Sequence, residues 1–411
     1  MFVYQRILKT LLPIAIFALG IPFVAGARAS VAETPGVAGD TLTVSLMTCE
    51  PGTAIYELYG HTAIRVQTRG GIDVVFNYGM FDFAAPNFVW RFVLGKTDYH
   101  MAAFAFDDFI TEYLMRGSAV HEQVLNLTAN EKLRLWRSLL ATAQQKNWTY
   151  RYNFLYDNCT TRARDEIEQC LDGYMEYHPD TTQESYRQII HSYTRGYRWS
   201  EFGQDLLLGN AADVPVSQRQ KMFAPLYTMK CFGEAAIVGK TGSRRPLLSG
   251  EAKVYNPIKS KKEAKGFPLS PVAAFAVLLA LTVVVCVAEI RTGKIFWPFS
   301  VVLMAVQGLA GCIIATLIFF SEHPTVNTNW LLLIFNPIPL ICIVPRVAAI
   351  LKRRYDVYPL ACLALILLFA VLSLFISQSI PLPIYCFALS LLLQAAVEVY
   401  LHHKAKWKRC A

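Results

Sequence analysis

The sequence predicts an α+β domain followed by a bundle of about five transmembrane α-helices, and three observations carry that expectation. Between residues 41 and 235 strand-like alternation and helix-like spacing succeed one another without the regular strand-helix rhythm of a parallel sheet. Apolar runs at 268–290, 296–320, 330–350, 358–378 and 380–401 are each long enough to cross about 30 Å of hydrocarbon as a helix. The chain opens with Arg6 and Lys9, an apolar run from Leu11 to Val24, and the small residues Ala25-Gly-Ala27 and Ala29. That layout reads as a secretory signal over 1–29, with an uncleaved anchor as the alternative; either one exports the domain downstream of it.

An exported domain is expected over 30–236, an ordinary size for one core. Residues 30–40 are a short lead-in without periodicity, and Thr41-Leu-Thr-Val-Ser-Leu-Met47 is the first strand. Alternation in Ala63-Ile-Arg-Val-Gln67, with Gly60 at its entrance, predicts a second strand that carries His61. A turn at Arg69-Gly-Gly-Ile72 leads into Asp73-Val-Val-Phe-Asn-Tyr78, so the two strands read as a hairpin. The aromatic stretch Phe81 to Val93 is expected to pack in the core, with a lipid-contacting surface as the other reading. Helices are predicted over 107–117 and 130–146, the second started by the capping box Thr128-Ala-Asn-Glu131, with a strand between them at His121 to Leu127.

Chemistry concentrates in Tyr152-Asn-Phe-Leu-Tyr-Asp-Asn-Cys-Thr-Thr-Arg162. The run Thr160 to Leu171 has helical spacing, with Asn158 or Thr160 as its cap, so Cys159 falls at a helix N-terminus. The positive end of a helix dipole lowers a thiol pKa and makes thiolate available near neutral pH. Such a nucleophile needs a base, and the base needs an orienting partner. His61 is the candidate base, about a hundred residues upstream. Asp73, or failing it Asn77, is the candidate to hold its imidazole from across the hairpin.

Residues 237–266 are basic and Gly/Pro-scattered, with Lys240, Arg244, Arg245, Lys253, Lys259, Lys261, Lys262 and Lys265, and read as a loose tether. The membrane domain is expected over 267–402, with a tail at 403–411. If the exported domain is outside, the cytoplasmic pieces 291–294, 352–354 and 404–409 carry two, three and four Lys or Arg, whereas 321–329 and 377–381 carry none. Leader and loop charge thus agree on the orientation. The net charge of +9 then reflects topology and tether, and no nucleic-acid motif gives it another meaning. Of ten cysteines, those in the spans are small apolar fillers; outside, a Cys49–Cys231 or Cys170–Cys231 bridge is open. No Cys-x-x-Cys or His-x-x-x-His spacing suggests a metal, and no cofactor is expected. His100, His121, His178 and His191 read as surface or core residues. His323 lies in a polar external loop, Ser321 to Trp330, before Asn336, Pro337 and Pro339; the segment reads as an ordinary loop or as the lining of a cavity for a lipid headgroup.

With these residues in place, the chain resembles the bacterial lipoprotein N-acyltransferases of the Lnb type over nearly its whole length. The motifs that carry the resemblance are Cys49-Glu-Pro-Gly52, Gly60-His-Thr-Ala-Ile-Arg65, Phe76-Asn-Tyr-Gly-Met-Phe81, Asn126-Leu-Thr128, Tyr152-Asn-Phe154, Asp157-Asn-Cys-Thr-Thr-Arg162, His323-Pro-Thr and Asn336-Pro. More distantly, a His before the Cys looks like the circularly permuted papain-like fold of lecithin:retinol acyltransferase and related amidases. The resemblance implies that His61 and Cys159 match the base and nucleophile, while Asp73 matches by spacing only. Asn158, Tyr59 and His323 are the candidate binding residues. It further implies acyl transfer from a membrane phospholipid, through a thioester on Cys159, to the N-terminal amine of a diacylated lipoprotein. The enzyme would sit in the bacterial inner membrane with its catalytic domain facing the periplasm. A thiol amidase or peptidase acting on cell-wall peptides is the nearest alternative, because fold alone does not decide chemistry. A non-enzymatic receptor or assembly factor is the third reading, and it would place Cys159 in a disulfide or bury it.

Overall fold

The computed structural model describes residues 38–54, 57–82, 85–145, 148–257, 267–352, 354 and 356–410. The expected leader, 1–29, lies outside them. The chain divides into two compact units, Met1–Glu184 with Pro215–Ala264 and Ser185–Val214 with Lys265–Ala411.

The first unit is α+β. In chain order it runs β1 (Leu42–Cys49), β2 (His61–Thr68), β3 (Asp73–Met80), α1 (Phe88–Val93), β4 (Asp98–Ala105), α2 (Phe106–Arg116), β5 (Val120–Leu125), α3 (Ala129–Gln144), β6 (Tyr150–Arg151), α4 (Cys159–Gln169) and β7 (Gly173–Glu176). Seven strands pair antiparallel in the order β10-β5-β1-β2-β3-β4-β6, where β10 is Leu248–Tyr255. Alternation decides the two faces. Leu42, Val44, Leu46, Ile64, Val66, Val74 and Phe76 point to one side and pack on Leu135, Trp136, Leu139 and Leu140 of α3 and on Ala163 and Ile167 of α4. Met47, Cys49, Ala63 and Val75 point to the other, beneath Phe109 and Tyr113 of α2. Each fully buried Leu or Phe in these layers contributes about 1.5–3 kcal/mol. The helix α3 starts at the expected capping box: Thr128 accepts from Glu131 N–H, and Glu131 accepts from Thr128 N–H at 2.7 Å.

The basic segment departs from expectation. Residues 236–255 are not loose. They form β8 (Ala236–Gly239), β9 (Arg244–Pro246) and β10; β8 and β9 join β7 in a three-stranded sheet, and β10 adds an edge to β5. Two of its cations are drawn into ion pairs: Arg245 reaches the fully buried carboxylate of Glu131 at 2.5 Å and Lys253 reaches Glu50 at 3.5 Å. Ile237 and Leu247 are buried between them. Residues 258–266 lie outside the described residues. Neither cysteine bridge left open by the sequence is formed. Cys49, Cys170 and Cys231 are free thiols, the first two sealed on opposite faces of the sheet.

The second unit begins with α5 (Tyr186–Thr194) and α6 (Arg198–Leu207), locked by buried Arg187, which bonds Asp205 and Asp213 at 2.7 and 2.8 Å. The first unit then adds α7 (Gln218–Lys221) and α8 (Pro225–Gly233). The second unit continues with α9 (Pro271–Thr292), α10 (Trp297–Phe320), α11 (Ile338–Leu351, preceded by a 3-10 turn at Trp330–Leu333), α12 (Tyr358–Leu372) and α13 (Leu382–Cys410). Among the described residues four stretches are long and apolar enough to span a membrane: Pro271–Thr292, Trp297–Phe320, Trp330–Leu351 and Leu382–Lys404. The expected fifth, α12, is apolar but only 15 residues long. Bare backbone lets the chain before α11 approach α10, since a Cβ on Gly311 would fall 2.3 Å from the carbonyl carbon of Asn336.

Candidate active site

Two asparagines build the approach to α4. Asn153 Oδ1 accepts the N–H of Leu155 and Tyr156, which turns the chain, and Asn158 then caps the helix. Asn158 Oδ1 accepts the N–H of Thr160 and Thr161 at 2.8 and 2.9 Å, while Thr161 Oγ1 accepts the N–H of Asn158 at 2.8 Å. The Asn158 amide is pinned in turn, donating to the carbonyls of Phe154 and Phe223 at 2.7 and 2.9 Å. Cys159 is therefore held at the first helical position, with the positive end of the dipole behind it.

His61 opens β2, opposite Cys49. Gly60 before it has φ +76°, and a Cβ there would sit 2.4 Å from the Cys49 carbonyl oxygen, so only glycine fits. The His61 imidazole and Cys159 line the same cavity, close enough that each holds the other toward its charged form. The ring Nε2–H donates to Asn77 Oδ1 at 3.0 Å, and the Asn77 amide donates to Val75 O at 3.3 Å. With Nε2 held as the donor, Nδ1 is the nitrogen left to exchange a proton with the thiol.

Asp73 does not hold His61. In the β2–β3 hairpin Gln67 opposes Asp73 and Ile64 opposes Phe76, a register that carries His61 toward Gly79. Asp73 is thus some six residues, about 20 Å, further along the strand. There it takes a two-point ion pair from Arg65, at 2.6 and 2.8 Å, and Arg65 also bonds Glu122 at 3.2 Å. Asn77 lies two residues from Gly79, on the same side as His61, and supplies the contact. The register could have been read from the turn at 69–72, which centres the pairing.

The electrostatics arise from this packing. Burial pushes the Cys159 thiol up, but the charge of His61, its hydrogen bond, the Thr62 backbone N–H and the Thr160 hydroxyl outweigh it, and the thiol is held below its ordinary value. Burial pulls His61 down, yet the Cys159 thiolate and the bond to Asn77 hold it above the usual imidazole range. The pair is stabilised as thiolate and imidazolium. Thr62 Oγ1 and Thr160 Oγ1, 3.0 Å apart, tie β2 to α4 directly beside it. The other thiols of the first unit behave oppositely: burial drives Cys49 above the usual thiol range and Cys170 up to about 12.

A cavity opens over the pair, with Tyr59 among its lining residues, in edge contact with Phe154 at 4.8 Å. Tyr152 stacks on Tyr99 at 4.2 Å, and Phe81 stacks on Tyr99 and on Phe88. The expected core role of the 81–93 stretch is thus met by Phe81, whereas Trp90 is 57% exposed. Glu57 and Glu112 also line the cavity and share Arg116. Asn158 also borders the cavity, but its amide is taken up by the cap. His323 belongs to the second unit, where its N–H donates to Ser321 Oγ at 3.2 Å. The polar loop around it seats the segment after α6: Gly209 and Asn210 N–H donate to Thr325 O and Thr328 O, and Asn329 donates to Leu206 O at 2.8 Å.

Residues 32–195 match the family model of the Lnb N-terminal periplasmic domain, and residues 261–406 match that of the Lnb transmembrane domain. No curated protein and no solved structure matches the chain. Both halves, in the order that leader, soluble domain and apolar helices had suggested, place this chain in the Lnb family, as a multi-pass, lipoprotein N-acyltransferase-like membrane protein with a periplasmic domain.

Proposed function

We propose that this protein is a thiol-dependent lipoprotein N-acyltransferase of the bacterial inner membrane, with Cys159 as nucleophile, His61 as base and Asn77 as the residue that orients it. The observation that carries the reading is Cys159 at a helix N-terminus in the same aromatic cavity as His61, whose ring is hydrogen-bonded to Asn77. It is the side-chain logic of a papain-like site, with histidine ahead of cysteine in the chain as in the permuted versions of that fold.

In the first step the Cys159 thiolate adds to an ester carbonyl of a membrane phospholipid. The backbone N–H of Cys159, which the Asn158 cap does not take, is placed for the developing oxyanion. Collapse breaks the ester C–O bond, and the leaving lysolipid alkoxide takes the proton from His61 Nδ1, which leaves a thioester. In the second step the α-amine of a diacylated lipoprotein's first cysteine attacks the thioester. His61 removes its proton, thiolate departs, and an amide remains. Both substrates carry chains that cost about 0.8 kcal/mol per methylene to expose to water, which is a physical reason to join this chemistry to membrane helices.

Mass spectrometry of a lipoprotein's N-terminal peptide, from cells in which this chain is the only such enzyme, tests the reading. Wild-type protein should give the N-acylated peptide, and Cys159→Ser and His61→Ala should each give only the free amine. N-acylated product from Cys159→Ser cells would rule the thiol mechanism out.

A further inference from the structure

Tyr150 stands beside the thiol with a hydroxyl that has no role in the fold. The residue is 6% exposed, and its Oη has no hydrogen-bond partner among the described residues. Leaving such a group unpaired costs about 1–3 kcal/mol, so one retained beside a reactive thiol calls for an explanation. The ring is rigidly set. It meets Tyr78 edge-on at 6.5 Å, packs against Trp148 at 5.5 Å, and carries the Arg162 guanidinium 4.4 Å above its centroid. Arg162 is itself fixed by two bonds of 2.5 Å to Asp157. A hydroxyl on so constrained a ring is pre-aimed.

Its target is defined by Gly79. This residue sits in an irregular stretch of β3, between Asn77 and Met80, with φ +89°, and it lines the cavity. A Cβ placed on it would have two neighbours within 4 Å: the Cys159 Cβ at 3.4 Å and the Tyr150 Oη at 4.0 Å. The bare glycine therefore leaves a small space that both the Cys159 side chain, through its Cβ, and the idle hydroxyl border.

We propose that the Tyr150 hydroxyl donates a hydrogen bond to the acyl carbonyl oxygen while that carbon is bonded to Cys159, across the gap left by Gly79. The inference rests on the reading of Cys159 as the nucleophile. It makes Tyr150 a catalytic residue that contacts the reacting atoms, and it gives the orphaned hydroxyl its partner only during turnover.

The test uses full-length protein in mixed micelles, with phosphatidylethanolamine as donor and a synthetic diacylated lipopeptide as acceptor, and compares Tyr150→Phe with Ser45→Ala. Ser45 Oγ is likewise buried and unpartnered among the described residues, but it lies on β1 opposite Arg65. Both variants remove an orphan hydroxyl, so both should hold or raise the melting temperature. Tyr150→Phe alone should lower kcat by about 10²-fold, with KM within about twofold. Its Cys159 should still react with iodoacetamide at the wild-type rate. Unchanged kcat in Tyr150→Phe, or activity lost together with melting temperature, would overturn the proposal. Activity retained by Cys159→Ser in the same assay would instead overturn the nucleophile reading itself.

Discussion

Cys159 and His61 stabilise each other's charged forms, and neither shift would survive alone. The thiol is half-buried, which opposes ionisation, so its lowered value depends on the imidazolium beside it; the imidazolium depends on thiolate and on Asn77. Asn77→Ala should therefore lower kcat by about 10²-fold, because the ring loses both its orientation and its fixed donor nitrogen. Asp73→Asn should leave kcat within about twofold but lower stability by about 1–3 kcal/mol, since Arg65 loses a two-point partner. Steady-state kinetics and thermal melts of the two variants check both expectations, and the reverse pattern would return the orienting role to Asp73. The nucleophile and base could be read from residue type and local pattern alone. The orienting residue could not be chosen by spacing, because two polar residues of one strand face the same way and only the register separates them.

Helix α4 is the element on which the site depends. Its cap does two things at once, satisfying the N–H groups of Thr160 and Thr161 and fixing Cys159 as the first helical residue. Asn158→Ala should cost about 1–2 kcal/mol of stability. It should also raise the pH at which Cys159 becomes reactive to iodoacetamide, because a frayed first turn withdraws the thiol from His61. An unchanged alkylation profile would mean the cap serves only the fold. Capping boxes are visible in sequence because their chemistry lies within four residues, which is why the starts of α3 and α4 could be anticipated. The strands over 236–255 were hidden for the opposite reason: Arg245 and Lys253 look like solvated cations until Glu131 and Glu50, more than a hundred residues away, are brought beside them. The membrane helices hold a similar case. Glu289, Gln394 and Glu398 sit within apolar runs, and Gln394 donates to both carboxylates while Ser300 bonds Glu398 at 2.8 Å. A hydropathy reading passes over such residues, although each is tolerated in a span because polar partners meet it there, Arg346 pairing with Glu398 among them.

At the scale of the whole molecule, the sequence divides where composition changes, and the two Lnb domains match on either side of that change. The segment Ser185–Val214 is the exception, since it reads as exported chain but packs with the second unit through Thr325, Thr328 and Asn329. Its contacts combine apolar packing of Trp199, Phe202 and Leu206 with hydrogen bonds to a distant loop, and pairings so far apart in sequence leave no pattern in either segment. The joining of a thiol site to membrane helices has a chemical purpose if the acyl group rests on Cys159 between donor and acceptor. Incubating the full-length protein with phosphatidylethanolamine and no acceptor, then digesting and weighing the peptide that contains residue 159, tests this directly. An acyl mass on that peptide, released by neutral hydroxylamine and absent from Cys159→Ser and His61→Ala, is the predicted result. A peptide that stays unmodified while the same preparation acylates a lipopeptide would contradict the thioester route.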